Sequence, residues 1–228
     1  MKMGIIDLEM CEIKKSFRPS AKFSREVIQI GAVKMDDEGK VTDSFSSFVR
    51  PQYGYVSQKI SDLTGIRPKD TCRAPSFNEV IKMLDDFFKE CSVIISWSKA
   101  DPAQLVSEIK IKGTTGFVVE AYEWVDAQEL FTKELSRCLE KNISRRFALE
   151  LALNIANIDF AGRLHQAHTD ALYTAILYYQ MMNHALRPNR YYIDIYEGKE
   201  TSIGNPLKDL LDGFRFCFNA NGELLAVT

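Results

Sequence analysis

Asp7 and Glu9 stand two residues apart in Gly4-Ile5-Ile6-Asp7-Leu8-Glu9-Met10, an otherwise apolar run. Side chains alternate faces along an extended chain, so the two carboxylates share one face and Ile6, Leu8 and Met10 take the other. Two carboxylates about 7 Å apart on a strand that packs into a core repel each other and lose hydration. A divalent cation relieves both costs, and oxygen-rich acid pairs suit magnesium or manganese. Two further acids stand at junctions. Asp101 follows a strand-like run that ends at Trp97, and Asp170 lies in His165-Gln166-Ala167-His168-Thr169-Asp170-Ala171. Taken singly, each reads as a helix cap: Asp101 as an N-cap before Pro102, and Thr169 or Asp170 as the cap of the last long helix. Taken with Asp7 and Glu9, they can converge on one edge of a sheet.

The elements that must position these groups are legible as a pattern. Residues 3–10, 26–35 and 41–49 read as three strands, with 36–40 a turn in which Gly39 supplies a positive φ. Residues 57–64 read as a short helix stopped by Gly65. Ser76 and Glu79 form a capping box that opens a helix whose apolar stripe is Phe77, Val80, Ile81, Leu84, Phe87 and Phe88. Residues 92–97 read as a buried strand, and a helix is predicted from Asp101 to Ile109. Residues 117–124 read as a fifth strand. Asp126 and Glu129 start the next helix, and 147–155 and 169–186 read as two more. A hairpin meander followed by alternating helix and strand predicts an α/β fold: antiparallel strands 1–3, then parallel strands, with helices on both faces. Residues 1–188 form the predicted main domain. Residues 189–228 form a C-terminal extension, a β element or lid, with 191–196 a strand candidate.

Composition narrows the function classes. The chain has 228 residues, 46% hydrophobic and 26% charged, enough for one large core and unlike a disordered tail. The longest apolar runs have strand length, so no membrane partner is expected. No apolar leader precedes a small-residue cleavage site. Five scattered cysteines, Cys11, Cys72, Cys91, Cys138 and Cys217, form no CxxC pair, which points to reduced thiols and a cytoplasmic protein. The net charge of −2 argues against a general polyanion binder, but Lys14, Lys15, Arg18, Lys22 and Arg25 cluster directly after the acidic strand. Such a loop reads either as a solvated surface or as a contact for a phosphate backbone beside the metals.

In order, these residues resemble the DEDDh (DnaQ-like) family of 3′→5′ exonucleases. The acid-x-acid pair is Asp7-Leu8-Glu9, the second-motif aspartate is Asp101, and His165 precedes Asp170 by five positions with Ala171 after it. Residues 25–33 resemble the family's second strand, and Leu63-Thr64-Gly65 its substrate-contacting element. The resemblance covers roughly residues 3–186. Ser96-Trp97-Ser98-Lys99-Ala100 stands where many members carry His-Asn, and Met10-Cys11 replaces a small hydroxyl residue. These departures look closer to the RNA-trimming branch than to polymerase proofreading subunits.

The resemblance implies a ribonuclease H-like fold and hydrolysis of RNA or single-stranded DNA 3′ ends to nucleoside 5′-monophosphates. It implies two Mg²⁺ ions, for which Mn²⁺ substitutes, about 4 Å apart. Asp7 would bridge them, Glu9 and Asp170 would hold the one that positions water, and Asp101 would reach the other. His165 would act as the general base, with His168 the rival and His184 outside the chemistry. Leu63 and Thr64 would meet the terminal nucleotide, as would the backbone of Leu8 and Met10. Two other readings stay open on sequence: a nucleic-acid-binding adaptor that keeps the fold, and a metal-dependent phosphoesterase for small substrates.

Overall fold

The computed structural model describes residues 2–20, 22–117, 119–160, 164–197, 216–218 and 224–227. It divides into two compact units, Met1–Pro188 and Asn189–Thr228. The first holds a sheet of β1 (Lys2–Glu12), β2 (Arg25–Met35), β3 (Val41–Phe48), β4 (Cys91–Ser96) and β5 (Glu123–Asp126), in the order β3-β2-β1-β4-β5. The pairs β1–β2 and β2–β3 are antiparallel, and β1–β4 and β4–β5 are parallel. This is the mixed sheet expected from the sequence.

Among the described residues this unit holds the α-helices α1 (Gln58–Thr64), α2 (Pro68–Thr71), α3 (Phe77–Phe88), α4 (Ala100–Lys112), α5 (Ala127–Leu139), α6 (Leu149–Ile155) and α7 (Ala167–Met182). On one face of β1, Ile6 and Leu8 pack with Phe77, Val80, Ile81, Leu84 and Phe88 of α3. Gly4 lies so close to Phe88 that a Cβ there would sit 2.4 Å from the ring. The other face carries α7, which packs on β2, β1 and β3. Its buried Ala171, Thr174 and Ala175 are small, which suits close approach to the sheet. Ser76 and Glu79 form the expected reciprocal cap, and Gly65 ends α1 at φ 79°.

Several boundaries differ from the sequence reading. Residues 117–124 do not form one strand: Val118 lies outside the described residues, a 3-10 turn spans Val119–Ala121, and the Trp124 indole N–H donates to the Val119 carbonyl at 2.7 Å. Pairing with β4 begins only at Glu123. Asp101 is not an N-cap, because α4 already begins at Ala100 after Lys99 and runs on to Lys112. The Ser98 hydroxyl accepts the Ala100 N–H instead, at 3.2 Å. Neither Thr169 nor Asp170 caps α7, which starts at Ala167 after Gln166. Both junction acids are therefore released from capping.

The second unit contains α8 (Arg190–Tyr196) and an antiparallel pair, β6 (Phe216–Phe218) and β7 (Leu224–Val227). The 191–196 strand candidate is thus a helix. The Asn189 side chain accepts the Tyr191 N–H and opens it, which overrides the strand preference of its tyrosines and isoleucines. The Cys217 side chain lies outside the described residues. Cys11, Cys72, Cys91 and Cys138 are free thiols.

Candidate active site

The acids gather where the two parallel central strands separate. The last β1–β4 pair is Ile6 with Ser96, so Asp7 is the first β1 residue beyond the shared ladder. There β4 turns into α4, and the Asp101 carboxylate accepts the otherwise unpaired N–H of Leu8. On the opposite edge of β1 the pairing with β2 shifts between Glu9 and Met10. A bulge at this point bends the strand and re-aims the residues around it.

The fourth acid arrives on α7, and two β2 residues seat that helix. Gly31 pairs across from Asp7, and Gln29 from Glu9. A Cβ on Gly31 would meet the Ala167 carbonyl carbon and the His168 nitrogen at 2.1 Å, so only glycine lets the start of α7 lie here. The Gln29 side-chain oxygen accepts the Ala167 N–H at 3.2 Å. With the first turn pinned over Asp7 and Glu9, Asp170 faces them one turn on. In the sequence both residues belong to a recognisable strand, without a visible role of their own. Glycine inside a buried strand was the available signal, since it marks close backbone approach.

His165 completes the group just ahead of α7. Its backbone sits at φ 63°, a conformation in which histidine is enriched among non-glycine residues, and its N–H donates to Asp170 Oδ2 at 3.2 Å. Ligand atoms of Glu9, His165 and Asp170 all lie within 4.8 Å of one another. His165 is exposed, and His168 is half-buried on the first turn of α7. His184 is elsewhere, with its Nδ1 3.1 Å from Glu134.

The electrostatics show what the cluster lacks. Burial holds the Asp7 carboxyl well above its ordinary range, with Asp101, Asp170 and Glu9 adding repulsion. Burial, then Asp170 and Asp101, raises Glu9 to about 8. Asp101 rises to about 7 by burial, although its own N–H and that of Leu8 oppose the rise. Asp170 rises to about 6 by burial, opposed by the backbone N–H and the charge of His165. Asp170 Oδ1 is buried with no hydrogen-bond partner among the described residues. An orphan carboxylate oxygen among three more carboxylates is a donor set for a hard divalent cation. The residues present fit the expected metal.

A cleft of about 380 Å³, room for a group of small-ligand size, opens beside these acids. Asp7, Leu8, Glu9, Met10 and Asp101 line its floor, and Leu63 of α1 lines its wall with 46% of its surface exposed. Thr64 is not in the lining. It is 1% exposed, its hydroxyl donates to the Ile60 carbonyl at 2.8 Å and accepts the Ile66 N–H at 3.0 Å. Of the two wall residues expected to meet substrate, the structure brings Leu63 to the cleft and commits Thr64 to ending α1.

Residues 5–105 match the family model described as Exonuclease, of the RNase T type. The PolC-type DNA polymerase III of Caldanaerobacter subterraneus subsp. tengcongensis is 30% identical over 157 residues, 69% of this chain and 10% of the polymerase. That of Clostridium perfringens is 36% identical over 75 residues, 33% of this chain and 5% of the polymerase. The chain thus spans a tenth or less of these relatives. Among solved structures, the nuclease domain of 3′hExo, described as a DEDDh family member bound to rAMP, superposes with a TM-score of 0.63 at 22% identity. That match covers 82% of this chain and 96% of that one. E. coli exonuclease I in complex with a dA16 oligonucleotide gives 0.59 at 12% identity, covering 85% and 42%. Matching family model and matching sheet agree: residues 5–105 carry an Exonuclease-type domain on the fold of solved 3′-exonucleases.

Proposed function

We propose that the protein is a metal-dependent 3′→5′ exonuclease that hydrolyses RNA or single-stranded DNA ends to nucleoside 5′-monophosphates. The observation that carries this reading is the four-carboxylate cluster with an orphan buried oxygen and His165 at its edge. The match of residues 5–105 to the Exonuclease model supports it, as do the rAMP and the dA16 oligonucleotide bound by the superposed nucleases.

Asp7, Glu9, Asp101 and Asp170 would hold two Mg²⁺ ions, or Mn²⁺ in their place. Bound there, the cations supply positive charge to the attacking and leaving oxygens of a displacement at phosphorus. Asp7, facing all three other acids, would be the ligand common to the set. Glu9 and Asp170 face His165, so the attacking water is oriented on that side. The exposed imidazole of His165 accepts its proton. His168, on the first turn of α7, is the rival base and is absent from the ligand group of Glu9, His165 and Asp170. Leu63 packs against the terminal base, and the β1 backbone at Leu8 and Met10 runs beneath the terminal sugar.

The competing small-phosphoester reading makes a different product. In Mg²⁺, the protein is expected to release nucleoside monophosphates from an oligomer and little phosphate from p-nitrophenyl phosphate, with EDTA stopping release. Rapid phosphate release without oligomer cleavage would reject the exonuclease reading. Tight oligomer binding with no cleavage in either metal would favour an adaptor.

A further inference from the structure

The cleft continues past the acids, and its character changes along the way. Arg25 lies across from Glu12 at the far end of the β1–β2 ladder. That is three residues beyond Glu9, about 10 Å at strand rise. On the opposite wall, Lys59 precedes Leu63 by four residues on α1, so it shares that face one turn further out, about 6 Å. Both cations line the cleft, and neither has an ion-pair partner among the described residues. Glu12, exposed on the same rim, is the acid against them.

Tyr55, four residues before Lys59 and next to Gly54, is 52% exposed, with the Lys14 ammonium 5.2 Å from its ring centroid. The loop that presents it is fixed from below. The fully buried Glu26 carboxylate accepts the N–H groups of Gln52, Tyr53 and Gly54, and Lys112 balances its charge at 2.6 Å. Gly54 rests on Cys11, where a Cβ would sit 2.5 Å from the sulfur. An exposed aromatic face on a rigid loop, flanked by cations, is what a single strand needs beyond the cutting point.

We propose that Arg25 and Lys59, with Tyr55 as a stacking face, form a subsite for nucleotides on the 5′ side of the terminal one. It makes the enzyme prefer oligomers to dinucleotides. The assignment rests on the exonuclease reading above. The strand's end lies over the acids, its next phosphates pass between Arg25 and Lys59, and an upstream base stacks on Tyr55.

The test is cleavage of a dinucleotide and of single strands of increasing length in Mg²⁺, by the parent, Arg25→Ala/Lys59→Ala and Tyr55→Ala. The parent's KM is expected to fall with length. The double variant, two weak surface charges short, is expected to raise oligomer KM about tenfold more than dinucleotide KM. Its salt dependence should weaken by about 1.4 in logarithmic slope. Unchanged melting temperatures show that the variants fold. A length-independent parent KM, or an equal loss on both substrates, would overturn the subsite. If nothing is cut, the exonuclease reading fails separately. Anisotropy of a fluorescein-labelled single strand then decides the groove alone: weaker binding by the double variant supports it, and equal binding overturns it.

Discussion

Replacing Glu9 by Gln should stabilise the metal-free protein at alkaline pH and destabilise nothing at acid pH. Glu9 is 9% exposed, and its carboxyl is carried from an ordinary 4.5 to about 8 by burial and by Asp170 and Asp101. Between those values it is protonated in the fold and ionised in the unfolded chain. Folding there takes up a proton, so stability falls as pH rises through the window, by up to about 1.4 kcal/mol per pH unit. The full penalty, reached above pH 8, is on the order of 5 kcal/mol. For a chain of this size that is a melting temperature difference of about 10 °C. Gln keeps the shape without the charge and escapes the penalty. The assay is thermal unfolding from pH 4.5 to 9, in EDTA and in Mg²⁺. In EDTA the two proteins should melt together at pH 4.5, and the variant should melt well above the parent at pH 8.5. In Mg²⁺ the parent should gain more than the variant and close the gap. Exposed acids whose carboxyls sit below their ordinary range, such as Glu79, titrate below this window and are common to both proteins. Parallel pH profiles in EDTA, or a variant less stable than the parent at pH 8.5, would refute the reasoning.

Other expectations follow from single contacts. His165→Ala should lower turnover by about 10²–10⁴-fold at constant Mg²⁺, whereas His168→Ala should stay within a few-fold; the reverse order in single-turnover kinetics would exchange their roles. Gly31→Ala should cost about 1–3 kcal/mol by pushing Ala167 off β2, and should cut activity far below the parent at temperatures where both are folded. Equal activity there would show that the seat of α7 does not set the site. Lys112→Met should lower stability by about 3–5 kcal/mol in urea unfolding, because it strands Glu26 and Glu108, both fully buried, without their cation. A loss under about 1 kcal/mol would mean that the lysine is not what holds these two buried side chains in place.

The sheet and the acids were legible because their signals are local. Alternation along 3–10 identified β1, and the Ser76–Glu79 box marked α3 to the residue. The junction acids were legible only as a set, since Asp101 before Pro102 has the local signature of a cap. What removed that ambiguity is tertiary: the Leu8 N–H left unpaired where β4 departs gives the Asp101 carboxylate a partner away from its own helix. The seat of α7 was hidden for the same reason. Gln29 and Gly31 matter through Ala167, which lies 138 positions from Gln29 in the chain. The place of Thr64 was not legible because a threonine at a helix end can face outward or turn in to finish the helix, and it is the Ile66 N–H that turns it in. The 191–196 helix escaped because its residues favour strands, while one capping Asn189 opens a helix.

The central claim is that this acid cluster removes nucleotides from a 3′ end with metal. Its most direct measurement is a time course on one single-stranded oligomer labelled separately at each end, with the parent and Asp7→Asn, in Mg²⁺ and in EDTA. The parent in Mg²⁺ should release 3′-labelled mononucleotide at the earliest times and shorten the 5′-labelled strand in a ladder of single steps. Both signals should vanish in EDTA and in Asp7→Asn. Equal release from both ends, internal cuts, or activity that survives in EDTA or in Asp7→Asn would contradict it.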